Sequence, residues 1–108
     1  MIRNLLQKHL TTIEEILECD NGEKALQFFM DHRPDWVLMD IVLPGRDGLT
    51  VSQELLANFP DARIIICTNY DEPSYQEIAH QIGIRGFVLK ENLFHILSII
   101  KQMDKEDL

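Results

Sequence analysis

Apolar positions along this chain recur with two periods in turn, one suited to strands and one to helices, and their succession predicts the elements. Ile2, Leu5, Leu6 and Leu10 recur at helical spacing, so the chain opens inside or at the start of a helix. Glu15–Cys19 (EILEC) reads as a short strand and Asn21-Gly22 as a turn. Glu23–His32 is a helix with Ala25, Leu26 and Phe29 on one face, broken by Arg33-Pro34-Asp35. Trp36–Asp40 (WVLMD) is an apolar run that suits a parallel strand buried on both faces.

A loop rich in turn formers follows, Ile41–Gly48 (IVLPGRDG). Leu49–Phe59 is then a helix with Leu55, Leu56 and Phe59 at core spacing, ended by Pro60. Arg63–Cys67 (RIIIC) is the strongest strand signal in the chain. Ser74–Ile82 is a helix after Pro73, with Tyr75, Ile78, Ala79 and Ile82 facing inward. Gly83–Gly86 turns the chain into a last strand, Phe87–Lys90 (FVLK). A final helix, Leu93–Met103, carries Leu93, Ile96, Leu97, Ile100 and Met103 on its apolar stripe, and the charged end DKEDL is expected to fray. Four strands thus alternate with five helices. Alternation with short connections implies right-handed βαβ units and a parallel, doubly wound sheet with helices on both faces.

Composition narrows the class. The 108 residues make one domain, 45% hydrophobic and 26% charged, enough for a real core and a soluble surface. With 10 Lys and Arg against 18 Asp and Glu, the net charge of −8 argues against a nucleic-acid-binding module, which needs a basic face. Cys19 and Cys67 both fall in predicted strands and no CxxC occurs, which points to reduced thiols and a cytoplasmic home. No signal-peptide core or membrane span is apparent. His9, His32, His80 and His95 are scattered over helices without ligand spacing, and read as surface or half-buried residues.

In doubly wound sheets ligands sit beyond the carboxyl ends of the strands. Three polar residues fall there. Asp40 ends WVLMD, Thr68 follows RIIIC, and Lys90 ends FVLK. Each alone is an ordinary turn, cap or surface residue. Together they put a carboxylate, a hydroxyl and an ammonium on one edge.

Here the sequence resembles the receiver domains of two-component response regulators, of the chemotaxis-regulator type. LMDIVLPGRDG is similar to the family's phosphoacceptor loop, CTNY to its hydroxyl position, and GFVLKE to its lysine position, with intervals of 28 and 22 residues between Asp40, Thr68 and Lys90. The resemblance runs from Met1 to Met103. It implies a flavodoxin-like fold of strand order 2-1-3-4-5. It also implies that Asp40 accepts a phosphoryl group from a histidine kinase or phosphotransfer protein, forming an acyl phosphate. Lys90 would neutralise phosphoryl oxygens and Thr68 would hydrogen-bond one of them. Mg²⁺ would bridge Asp40 and the phosphoryl group, with the Val42 backbone carbonyl as a further ligand. Phe87 would be the aromatic that swings inward as Thr68 follows the phosphate, switching a protein-interaction face. Its plainer reading is a core Phe in a strand. Val42 and Tyr70 stand where groups in the family influence how water reaches the acyl phosphate, and an apolar residue and a bulky aromatic there suggest slow hydrolysis; Asn69 stands where the family usually has a small residue, and would narrow phosphatase access.

One departure stands out. The family's first strand and the acidic pair that follows it have no counterpart here. Asp20, after the first predicted strand, could lie near the crevice. Without the pair, Mg²⁺ binding is expected to be weak; if the metal contributes about 3 kcal/mol, its loss slows transfer on the order of a hundredfold. The missing strand is central in the family order. Burying about five apolar residues is worth on the order of 10 kcal/mol, comparable to a domain's whole stability. A hole is therefore excluded: either Glu15–Cys19 closes directly onto Trp36–Asp40, or a homodimer fills the gap by strand exchange.

Two other functions compete. A pseudo-receiver would act as a phosphorylation-independent interaction module. A haloacid-dehalogenase-type phosphatase also uses a strand-end Asp but needs a second Asp where this chain has Val42. Dinucleotide binding fails for want of GxGxxG. The expectation is a single receiver domain without an output domain, binding no nucleic acid or membrane, and not a turnover enzyme. Glu91 stands where many receivers have Pro, a feature similar to receivers attached to helix-turn-helix DNA-binding domains.

Overall fold

A computed structural model describes residues 16–19, 21–43, 47–69 and 72–106. Its strands are β1 (Ile16–Cys19), β2 (Trp36–Met39), β3 (Ile64–Thr68) and β4 (Gly86–Leu89). Its helices are α1 (Gly22–His32), α2 (Gly48–Asn58), α3 (Pro73–Ile82) and α4 (Leu93–Glu106), with a 3₁₀ turn at Lys90–Asn92 leading into α4. The helix predicted at Ile2–Leu10 lies outside the described residues, as do Asp20 and Tyr70.

All strand pairs are parallel and the order is β1-β2-β3-β4. Of the two expected ways of closing the sheet, the structure takes the first. β1 pairs directly with β2, Ile16 level with Trp36 and Cys19 level with Met39. Side chains alternate across a strand, and the alternation divides the core in two. Val37, Met39, Ile64 and Ile66 join Ala25 and Phe29 of α1, Val51 and Leu55 of α2 and Ala79 of α3 on one face. Ile16, Trp36, Leu38, Ile65, Cys67 and Val88 join Ile96, Leu97 and Ile100 of α4 on the other. Every residue of β2 and β3 is buried, as two covered faces require.

The element ends have local causes. Asn21-Gly22, predicted as a turn, is the start of α1: the Asn21 side chain accepts a hydrogen bond from the Glu23 N–H at 3.0 Å. Arg33 closes α1 in the left-handed region, φ 45°, and its N–H donates to the Phe29 carbonyl at 2.8 Å. Its guanidinium lies 4.3 Å over the Phe59 ring, tying α1 to α2. Pro73 is the first residue of α3, where a missing N–H costs nothing. Gly83, at φ 97°, ends α3 as only Gly does without strain.

Two expectations need correction. Ile78, predicted to face inward, is 43% exposed, because α3 buries a narrow stripe with Ala79 at its centre and Tyr75 and Ile82 half-buried beside it. α4 runs past its predicted end at Met103, through Glu106.

Candidate functional site

Asp40 is the first residue beyond β2, and the loop after it is built to hold it. The Asp40 Oδ1 accepts a hydrogen bond from the Val42 N–H at 3.1 Å. Val42 bridges back to Asp47 in antiparallel fashion, and the Gly48 N–H donates to the Ile41 carbonyl at 2.7 Å. Asp47 then caps α2, its side chain accepting from the Leu49 N–H at 2.7 Å. Gly48 is required here by contact: a Cβ at this position would sit 1.7 Å from the Asp40 carbonyl oxygen. The start of α2 therefore presses on the backbone that carries the carboxylate. The Asp-Gly pair was legible as a motif, but its mechanical role was not.

Lys90 lies just past β4, in the 3₁₀ turn. Its Nζ donates to the Asp40 Oδ2 at 2.5 Å, across the intervening strand β3. The side chains are 37% exposed for Lys90 and 24% for Asp40, so the pair stands at the rim where solvent and a ligand reach it. The hydrogen bond it donates to Asp40, opposed by partial burial, raises the Lys90 pKa above its usual value. The ammonium is charged at any physiological pH.

Thr68 is the last residue of β3, level with Leu89, and fully buried. It was expected directly after the strand and instead completes it. Alternation puts it on the face of Ile64 and Ile66, which Phe87 shares. Phe87 is half-buried and pairs in register with Ile66. It also lines a cleft of about 250 Å³ with Gln76, Ala79, His80, Ile84, Arg85 and Gly86. The Asp40–Lys90 contact is thus direct, and Thr68 joins them by position at the end of the strand between.

Beneath the pair lies Cys67, level with Val88 and buried. Burial raises its thiol pKa to about 11 despite the lowering influence of Lys90. It is a neutral floor, and no reactive thiol. Both cysteines are free, as expected for reduced thiols. His32, His80 and His95 are exposed.

Among the described residues, the oxygens that could hold a cation are the Asp40 carboxylate and the carbonyl of Val42, whose residue is 61% exposed. An all-oxygen set suits a hard cation such as Mg²⁺, which is commonly held by one or two carboxylates completed by phosphate oxygens and water. It is a partial shell only. Among the described residues, no three His, Cys, Asp or Glu come together as a metal cage.

Comparison with known proteins agrees with this fold. The family model of the response regulator receiver domain matches residues 1–102. The chemotaxis protein CheY of Bacillus subtilis is 36% identical over 90 residues, covering 83% of this chain and 73% of that protein. Against curated transcriptional regulators the chain spans only 33% to 42% of their length. A DNA-binding response regulator of the LuxR family from Staphylococcus aureus superposes with a TM-score of 0.70 at 31% identity, over 77% of this chain and 70% of that one. The BeF3-activated receiver domain of Klebsiella pneumoniae RstA gives 0.68 at 26% identity, over 79% and 72%.

Proposed function

The chain belongs to the response regulator receiver domain family, and from that premise we propose that Asp40 accepts a phosphoryl group from a histidine kinase or phosphotransfer protein. The observation that carries this reading is the Lys90–Asp40 contact at the carboxyl edge of the sheet. An Asp40 oxygen attacks phosphorus, the O–P bond forms as the donor's P–N bond breaks, and the donor imidazole leaves with the electron pair. Lys90 already points at the reacting oxygen, so its ammonium follows the new negative charge without crossing the site. The Val42 N–H steadies the other carboxylate oxygen. Thr68 supplies a hydroxyl to a phosphoryl oxygen, and Phe87, on the same face, reports its movement to the cleft between α3 and β4. The Asp40 carboxylate and the Val42 carbonyl would hold Mg²⁺, which would supply charge neutralisation, and its binding is expected to be weak because these are few donors for a hard cation. The transfer is self-catalysed and single, with no turnover of a substrate.

Among the described residues no helix is long and apolar enough to cross a membrane. A cytoplasmic location and an output through protein contacts fit the free thiols and acidic surface. The partial donor shell also favours a second reading, a pseudo-receiver whose contacts do not depend on phosphate.

Beryllofluoride, a mimic of the acyl phosphate, separates them. Uptake that requires Mg²⁺ and is lost in Asp40→Asn supports the receiver. No uptake by the wild type at millimolar Mg²⁺ supports the pseudo-receiver. Mass in solution tests the remaining partner expectation: with the β2 edge already paired to β1, a strand-exchanged homodimer is unnecessary, and a concentration-independent monomer excludes it.

A further inference from the structure

One peptide group in the loop after Asp40 is held at both ends. The unit joining Ile41 to Val42 offers its carbonyl to the Gly48 N–H at 2.7 Å and its own N–H to the Asp40 Oδ1 at 3.1 Å. It is trans, so these two groups point opposite ways in one rigid plane. Gripping the carbonyl from the start of α2 therefore aims the N–H at the carboxylate. Apolar burial does not set this direction. Ile41 and Leu43 lie in the same core as Leu49, which fixes the depth of the loop but leaves the plane between them free to turn.

The grip is only as firm as the start of α2. Gly48 has no side chain to anchor it, and a Cβ there would meet the Asp40 carbonyl oxygen. Asp47 holds it instead. Its side chain accepts from the Leu49 N–H at 2.7 Å, its carbonyl accepts from the Val51 N–H at 3.1 Å, and its backbone bridges to Val42. Asp47 is exposed, and none of these contacts is with the Asp40 carboxylate. The carboxylate itself is held by both oxygens, Oδ1 by Val42 and Oδ2 by Lys90. Two such bonds stop its rotation, and reaction at a fixed oxygen gains from orientation.

We propose that Asp47 is a positioning residue for phosphoryl transfer: by capping α2 it keeps the Gly48 N–H on the Ile41 carbonyl, and so turns the Val42 N–H onto Asp40. The assignment rests on the reading of Asp40 as phosphoacceptor. Loss of the cap should slow transfer by more than any loss of stability explains.

The test is phosphorylation of the whole chain by acetyl phosphate in excess Mg²⁺, with the amide resonance of Val42 as a second readout. Wild type, Asp47→Ala, Asp47→Asn, Asp47→Ser and Gly83→Ala are compared, each at a temperature where melting shows it folded. Asn and Ser cap a helix about as well as Asp, and Ala does not. Gly83→Ala also costs stability, because its φ is 97°, but it lies between α3 and β4 on the amino edge of the sheet, away from Asp40. Asp47→Ala is expected to react roughly three- to tenfold more slowly, from lost orientation, with its Val42 amide moved upfield as the hydrogen bond to Asp40 weakens. Asp47→Asn and Asp47→Ser should keep most of the rate, and Gly83→Ala all of it. Asp47→Ala at the wild-type rate overturns the proposal and leaves the Asp40 reading standing. So does Asp47→Asn as slow as Asp47→Ala, which would mark a role for the charge and not for the cap, or Gly83→Ala slowed to the same degree. If the wild type takes up no phosphoryl group, the Asp40 reading falls and the proposal with it.

Discussion

Substituting Gly48 by Ala tests the mechanical link between helix α2 and the loop that carries Asp40. The added Cβ would lie 1.7 Å from the Asp40 carbonyl oxygen, 2.7 Å from its carbon and 3.0 Å from the Ile41 Cα. All three are backbone atoms, so no side chain can rotate away. Relief requires the start of α2 to retreat by more than 1 Å on the order of ordinary van der Waals spacing. Retreat stretches the Gly48–Ile41 hydrogen bond, now 2.7 Å, and disturbs the Asp47 cap on the Leu49 N–H. A lost hydrogen bond, a weakened cap and overpacking each cost about 1 kcal/mol or more, so a loss of about 3–5 kcal/mol is expected. Urea unfolding followed by Trp36 fluorescence measures it, because Trp36 is the chain's single tryptophan and fully buried. Gly86→Ala is the control. Its Cβ would meet only the Cδ1 end of the Ile99 side chain at 2.6 Å, which can turn aside, so a loss of about 1 kcal/mol is expected there. Equal midpoints for the two variants, or a Gly48→Ala loss below 1 kcal/mol, would refute the reasoning.

Lys90→Met should change stability by less than about 1 kcal/mol, since the ion pair is exposed; yet phosphorylation by a small-molecule donor should slow about a hundredfold. Similar losses in the two assays would tell against a catalytic ammonium. Alkali should unfold the protein through Cys67 and Lys90. Both pKa values are raised in the folded state, so both groups bind protons more tightly when folded: the Cys67 contribution is present below about pH 9 and lost as pH rises towards 11, and that of Lys90 is lost only at pH above its usual value of 10.5. A shift from 9.0 to about 11 makes the Cys67 share about 3 kcal/mol. Cys67→Ala, compared with wild type by urea unfolding at pH 8 and pH 10.5, should show a flatter decline; parallel declines would contradict this. Ser52 is buried and its Oγ makes no hydrogen bond. Ser52→Ala should therefore be neutral or stabilising by about 1 kcal/mol in thermal melting, and a clear loss would reveal a partner for the hydroxyl.

Much of the fold was legible because the strands at its centre are buried on both faces. WVLM and IIIC read as strands from apolar content alone, and those residues are all buried. Asp40 and Lys90 were legible as a pair because strand ends in a parallel sheet share one edge, and the ion pair follows from that. What escaped depends on contacts that no local pattern encodes. Ile78 has helical spacing with Tyr75 and Ile82, yet whether that stripe is wide enough to include it depends on how closely α3 approaches the sheet. Asn21-Gly22 carries the chemistry of a turn and of a helix cap alike, and the hydrogen bond to Glu23 decides between them.

The site tolerates a sheet of this order for a topological reason. Asp40, Thr68 and Lys90 come from β2, β3 and β4, which are consecutive neighbours. Their relative placement is fixed by the β2–β3 and β3–β4 registers, neither of which involves the other edge of β2. The Asp40–Lys90 contact is therefore set by β2, β3 and β4 alone. Conservative substitutions in β1 should accordingly lower stability in urea unfolding while leaving that contact unchanged.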